Sequence, residues 1–261
     1  MLESELRQRI VKVMQGWVGL RQSDGSNQII IDTYNRHWPL ARGYQLRRRD
    51  AWCAGTVSAA AIRTGLTRII PTEVSCGHQI ALLQRMGAWQ ERDSYKPRPG
   101  DLVYYYWKAA GQGDCTGWPD HVGMVADVRG GTIYAIEGNK GGAVGWREFP
   151  VDWRYIRGFG TPDYKTEAAV RSVDELAALG VLNSAGYWKK VLIRRQVRFL
   201  DDLICKASGA IRRAGNRTGT VEEGVQRLMR AGVVNSPDYW LSMAGKVPNV
   251  GELIKALGGS L

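Results

Sequence analysis

No stretch of this 261-residue chain approaches the roughly 20 consecutive apolar residues that a membrane-spanning helix requires, so stable insertion into a bilayer is not expected. Its first residues, Met1-Leu-Glu-Ser-Glu-Leu-Arg7, lack the basic-then-apolar order of a secretory signal. The expectation is a chain made in the cytoplasm that reaches any site outside the cell by another route. Cysteine is scarce as well. Cys53, Cys76, Cys115 and Cys205 are too few and too irregularly spaced for a disulfide scaffold. Histidine is limited to His37, His78 and His121, which leaves few choices for a general base. Asp24 and Asp32 stand apart from the dense carboxylate alternation of calcium loops, so they read as turn and capping residues and no metal is expected there.

What is present is ordinary globular composition, 44% hydrophobic and 23% charged, with a net charge of +11 shared along the chain. That charge points to a polyanionic partner, and composition alone does not choose between nucleic acid and an anionic cell wall. The aromatic–basic signatures of nucleic-acid modules are missing, so no nucleic acid is expected.

Asp50-Ala-Trp-Cys-Ala-Gly-Thr-Val-Ser-Ala-Ala-Ala-Ile-Arg-Thr64 organises the first part. Asp50 reads as a helix N-cap, Ala54, Val57, Ala60 and Ala61 fall at helical spacing, and Gly65 is a left-handed stop. Cys53 then lies in the first turn, where the helix dipole and free N–H groups favour a thiolate. A small buried structural cysteine is the competing reading. Before it, residues 3–19 carry Leu6, Ile10, Val13, Met14 and Trp17 on one helical face. After it come a helix over 75–86 with Ile80, Leu83 and Met86 inward, a strand over 101–107, a Gly-rich loop over 109–119 and a hairpin over 121–137. In the first hairpin strand Val122, Met124, Ala126 and Val128 alternate inward. Helices followed by antiparallel strands imply an α+β domain.

A thiolate that attacks amides needs a base, and the base needs an orienting partner. His37 sits in a turn, and His78 is two residues from Cys76, a spacing that does not face on a helix. His121 opens a strand, and the hairpin returns Glu137 and Asn139 beside it, where either a carboxylate or an amide can hold the imidazole. A zinc site built from Cys76, His78, Cys115 and His121 is a rival, although its spacing matches no common structural pattern. A basic, non-catalytic wall or polyanion binder is a second rival.

The blocks Asp-Ala-Trp-Cys53-Ala, Pro-Arg-Pro-Gly-Asp-Leu-Val-Tyr-Tyr, Asp-His121-Val-Gly-Met-Val and Ile-Glu137-Gly-Asn139 stand in order. Together they resemble the CHAP family of cysteine amidase/peptidase domains, relatives of the NlpC/P60 and papain-like enzymes, over about residues 1–164. The resemblance implies a papain-like α+β fold with an antiparallel sheet and no cofactor. It implies that Cys53 attacks, His121 is the base, Glu137 orients it and Asn139 is a polar helper, with the Cys53 N–H in the oxyanion hole. It further implies peptidoglycan, as in Gram-positive walls, as substrate. A phage endolysin, released from the host cytoplasm through holes made by another protein, has this arrangement.

Beyond a linker expected at 165–171, the chain repeats itself. Val173-Asp-Glu-Leu-Ala-Ala-Leu-Gly-Val-Leu-Asn-Ser-Ala-Gly-Tyr-Trp188 matches Val225-Gln-Arg-Leu-Met-Arg-Ala-Gly-Val-Val-Asn-Ser-Pro-Asp-Tyr-Trp240. Residues 172–211 and 221–261 therefore read as two helical modules of a small all-α domain at 172–261, each ending in a helix, over 197–207 and 247–256. In the position where lysins carry wall-binding modules, Tyr187, Trp188, Tyr239 and Trp240 are candidates for stacking on sugars. Their competing role is to fill each module's core. In that case Lys189, Lys190, Arg194, Arg195 and Arg198 remain for wall contact.

Overall fold

The computed structural model describes residues 2–91, 95–108 and 117–261, and it divides into two compact units. One comprises Arg7–Asp163, and the other Tyr164–Leu261 together with Met1–Leu6. The larger unit is α+β. It contains most of helix α1 (Glu3–Gly16), then α2 (Gln28–Asn35), α3 (Cys53–Thr64) and α4 (Cys76–Arg85). Its strands are β1 (Trp89–Gln90), β2 (Leu102–Tyr105), β3 (His121–Arg129), β4 (Thr132–Lys140), β5 (Ala143–Pro150) and β6 (Ile156–Gly160). They form one antiparallel sheet in the order β1-β6-β2-β3-β4-β5.

In α1, Ile10 and Met14 are buried at helical spacing with Trp17 just past its end, and Val11 rather than Val13 completes the stripe. α3 ends at Gly65 with φ 66°, where a left-handed residue closes the helix. Its start differs from the sequence expectation. Asp50 spends its carboxylate on the Arg47 N–H and the Tyr44 hydroxyl, so Trp52 is the cap and Cys53 the first helical residue. In α4, Ile80 and Leu83 are buried, whereas Met86, one residue past the helix, is 45% exposed.

β3 lies in the middle of the sheet and is buried on both faces from His121 to Ala126, so the simple inward alternation expected there does not hold. One face carries Val103, Tyr105, Val125, Ile133, Ala135, Phe149, Ile156 and Phe159 as a single apolar cluster. The other carries Leu102, Tyr104, Val122 and Met124 beneath α3 and α4; there Tyr104 donates to Gln79 of α4. Asp101 of the Pro-Gly-Asp block is fully buried and anchors the sheet. It accepts from Arg7 at 2.9 Å, the Tyr95 hydroxyl at 2.6 Å and the Arg98 N–H at 2.8 Å. Of the loop expected at 109–119, residues 109–116 lie outside the described residues.

The smaller unit is helical: α5 (Tyr164–Ala178), α6 (Ala185–Ile193), α7 (Leu200–Ala210), α8 (Val221–Arg230), α9 (Pro237–Lys246) and α10 (Val250–Gly259). Residues 165–171 are not a linker but the first turns of α5, because Tyr164, Ala168, Ala169, Val173 and Leu176 form a buried stripe that starts at Tyr164. α7 and α10 begin three residues later than expected, since Phe199 and Asn249 take left-handed φ of 62° and 65° just before them. α8 crosses α10 where Gly224 meets Gly258; a Cβ on Gly258 would stand 2.6 Å from the Gly224 carbonyl oxygen.

Candidate active site

Cys53 is 4% exposed at the head of α3, where first-turn N–H groups have no intrahelical partner. Its sulfur lies 3.7 Å from that of Cys76, the first residue of α4. His121 and the Ala54 N–H also act on it, both favouring the thiolate. The Cys76 contact, opposed by burial but joined by His121 and the Ala54 N–H, holds the Cys53 thiol well below its ordinary range. Cys76 moves the opposite way, raised by its bond to Cys53 and by burial. Of the two sulfurs, Cys53 therefore carries the charge and Cys76 keeps the proton.

His121 opens β3 beside β2, and its ring stacks on Tyr105 with centroids 5.8 Å apart. The Nε2–H donates to Glu137 Oε2 at 3.1 Å, which leaves Nδ1 as the ring nitrogen free to serve the thiol. Burial alone would lower the His121 pKa; the bonds to Cys53 and Glu137 and their charges raise it to about 9. Glu137 is fully buried on β4. Burial would raise its pKa, yet the bonds from His121 and Arg147 hold it below the usual carboxylate value. Arg147 Nε donates to Glu137 Oε1 at 2.6 Å, and the guanidinium lies over Tyr105, Trp107 and Trp153 at 5.6, 5.1 and 5.8 Å. The line Cys53–His121–Glu137–Arg147 thus alternates in charge.

Two glycines make this line possible. A Cβ on Gly123 would stand 2.7 Å from Glu137 Cγ, and one on Gly138 would stand 1.9 Å from Thr56 Oγ1 of α3. The glycines of His-Val-Gly and Glu-Gly-Asn therefore admit the carboxylate and let β4 approach α3.

Of the sequence candidates, Cys53, His121 and Glu137 come together. Asn139 lies at the register shift of β4 with φ 56°, half-buried, and it is Glu137 that hydrogen-bonds the His121 ring. Cys76 and Arg147 were missed. The sequence offers Cys76 only as a partner of His78 or as a ligand of the zinc alternative, and it carries no local signal for Arg147. Of the two roles open to Trp188 and Trp240, sugar stacking and core filling, the structure favours the core, since each is only 4% exposed. Their neighbours Tyr187 and Tyr239 spend their hydroxyls on the Pro248 and Arg198 carbonyls, at 2.9 and 2.7 Å. Small helical modules need large side chains to close their cores, and these aromatics do so.

Among the described residues no three of His, Cys, Asp and Glu are grouped to hold a metal. The zinc alternative finds His78 bonded to Ser75, and His121 and Cys76 both engaged with Cys53; Cys115 lies outside the described residues. A separate open cavity of about 710 Å³ is lined by Arg21, Arg48 and Arg49 with Gly141 and Gly142. Arg49 lies four positions before Cys53 and Gly141 four positions after Glu137, a reach of at most about 14 Å. The cavity is thus a basic neighbour of the thiol.

Residues 43–139 match the family model for the CHAP domain, a span that runs from before Cys53 to Asn139 and includes His121 and Glu137. CHAP domains are in general amidase or peptidase hydrolases that point to a peptidoglycan substrate. No curated protein and no solved structure matched the chain.

Proposed function

We propose that this protein is an endolysin-like peptidoglycan hydrolase that cuts an amide bond of the bacterial wall by a Cys53–His121–Glu137 mechanism on a papain-like scaffold. The observation that carries the reading is the buried thiol in contact with an imidazole whose far nitrogen is held by a carboxylate. The Cys53 thiolate attacks the amide carbonyl. The oxyanion that forms is met by the Cys53 N–H at the head of α3. The His121 imidazolium then gives its proton to the leaving amine, and a thioester remains on Cys53. Neutral His121 takes a proton from water, hydroxide attacks the thioester, and the acid and the thiolate are released. Glu137 keeps the ring in one orientation and stabilises its charged form. Asn139 stands as a polar group at the rim.

The scissile bond is either the one between muramic acid and L-alanine or one within the stem peptide or cross-bridge. The basic cavity of Arg21, Arg48 and Arg49 suits the anionic groups of such a substrate. The reading includes synthesis in a host cytoplasm, action on Gram-positive walls after release, and a C-terminal domain of two repeats that holds the wall. Its test is turbidity clearing of purified Gram-positive walls. Cys53→Ala is expected to abolish clearing while the protein still pellets with walls; clearing by that variant overturns the mechanism. Mass spectrometry of the released fragments distinguishes amidase from endopeptidase, since only the latter creates new ends within the peptide.

A further inference from the structure

The C-terminal unit contains two cavities of the same volume, each about 350 Å³, at the low end of the roughly 300–1,000 Å³ typical of small-molecule sites. The first is lined by Asn183, Tyr187 and Trp188 of one sequence repeat and by Asn249, Glu252 and Leu253 of the other. The second is lined by Asn235, Tyr239 and Trp240, facing Phe199, Asp202 and Leu203. Every residue in one set occupies the position of its counterpart in the other. The tyrosine bonds are reciprocal in the same way. Tyr187 reaches the carbonyl just before Asn249, and Tyr239 reaches the carbonyl just before Phe199. The two repeats are therefore exchanged across a local pseudo-twofold axis, and each cavity needs both of them.

We propose that these cavities are two equivalent saccharide sites, each formed where the Asn-Ser and Tyr-Trp segments of one repeat meet the start of the last helix of the other. The walls define the ligand. Two helix starts line each cavity, and none of their cap residues, Ser184 and Asn249 in one and Ser236 and Phe199 in the other, makes a side-chain capping bond. The exposed amides of Asn183 and Asn235 offer N–H donors to an acceptor such as an acetamido carbonyl. Glu252 or Asp202 offers an acceptor for hydroxyl donors. These carboxylates are already compensated, Glu252 by Arg217 at 2.7 Å and Asp202 by Lys165 at 3.0 Å, which favours a neutral ligand over an ion. The half-buried rings of Tyr187 and Tyr239 supply the apolar wall on which the C–H face of a pyranose packs, and Trp188 and Trp240 close the core behind them. The identification of that sugar with the N-acetylated glycan of the wall rests on the function proposed above; the two-site geometry does not.

Two sites on one small unit imply bivalent attachment to a repeating polymer, with avidity roughly 10²–10⁴-fold above either site alone. The test is calorimetric titration of the full chain carrying Cys53→Ala with a soluble β-1,4-linked N-acetylglucosamine oligosaccharide. Two sites per chain are expected. Asn183→Ala with Glu252→Gln is expected to leave one, and adding Asn235→Ala with Asp202→Asn to leave none, with unchanged helical circular dichroism. These four side chains are at the surface, so the variants remain folded. Absence of binding to the parent chain, or two sites surviving all four substitutions, overturns the inference. Wall clearing by the unsubstituted chain is scored separately. Two glycan sites without clearing sink the hydrolase reading alone, and clearing without glycan binding sinks only this one.

Discussion

The sulfurs of Cys53 and Cys76 lie 3.7 Å apart, each on the first residue of its helix. With Cys53 ionised, the only proton available to that contact is on Cys76, so Cys76 donates. Such a bond stabilises the thiolate at rest and keeps it populated toward acid pH, at some cost in its intrinsic nucleophilicity.

Cys76→Ala is therefore expected to raise the Cys53 pKa and shift the acid limb of kcat/KM upward. Cys76→Ser, which keeps a donor, is expected to restore much of the parent profile. Thiolate absorbance near 240 nm against pH reads the change directly; identical titrations for parent and alanine variant would remove Cys76 from the site's chemistry.

Glu137 carries two charged partners, and its replacement acts through both. Glu137→Gln removes the group that orients His121, with an expected loss of about 10²–10⁴-fold in kcat/KM. It also leaves the Arg147 guanidinium without its carboxylate among Tyr105, Trp107 and Trp153, so the midpoint of thermal unfolding is expected to fall as well. Glu137→Gln with Arg147→Met is expected to recover stability but not activity. Equal recovery of both would show that the carboxylate serves only the fold.

The pH dependence follows from the directions of the two shifts. In the proposed mechanism the reactive pair is thiolate with imidazolium. It is lost at acid pH as Cys53, whose pKa is lowered, takes up a proton, and at alkaline pH as His121 releases one near about 9. A bell with a broad neutral plateau is expected for kcat/KM, and its limbs belong to the coupled pair. The linkage to stability has a fixed sign. A folded value of about 9 against an ordinary 6.5 means that the His121 contribution is fully present below 6.5 and lost as pH rises toward 9. Urea midpoints measured from pH 6 upward, on parent and His121→Ala, check this; the difference between them is expected to shrink with rising pH.

Much of this molecule is legible in its sequence because local signals and tertiary demands coincide there. Gly65 stops α3 where a left-handed residue is needed, and Gly130-Gly131 turns the hairpin that returns Glu137 to His121. The failures come where a distant partner decides. Asp50 looks like a cap, but Tyr44 and the Arg47 N–H claim its carboxylate. β3 reads as half-buried, yet its central place in the sheet buries both faces. Cys76 and Arg147 are ordinary residues until α4 and β5 bring them to the thiol and the carboxylate; no spacing along the chain encodes either contact. The Tyr-Trp pairs are open from the sequence to sugar stacking or to core filling, and a module this small puts its tryptophans inside.

Arg48 and Arg49 give the last prediction. Arg48 donates to the Gln22 carbonyl at 2.7 Å, a neutral partner that leaves its charge uncompensated. Both arginines line the open cavity upstream of Cys53, where a positive field acts on an approaching anionic substrate rather than on the bond being broken. Arg48→Ala with Arg49→Ala is therefore expected to raise KM several-fold with kcat nearly unchanged, because uniform binding is lost. The difference from the parent is expected to narrow at about 0.5 M salt, where charges more than a few ångström apart are screened. A fall in kcat at constant KM would instead place these arginines in the organisation of the thiol itself.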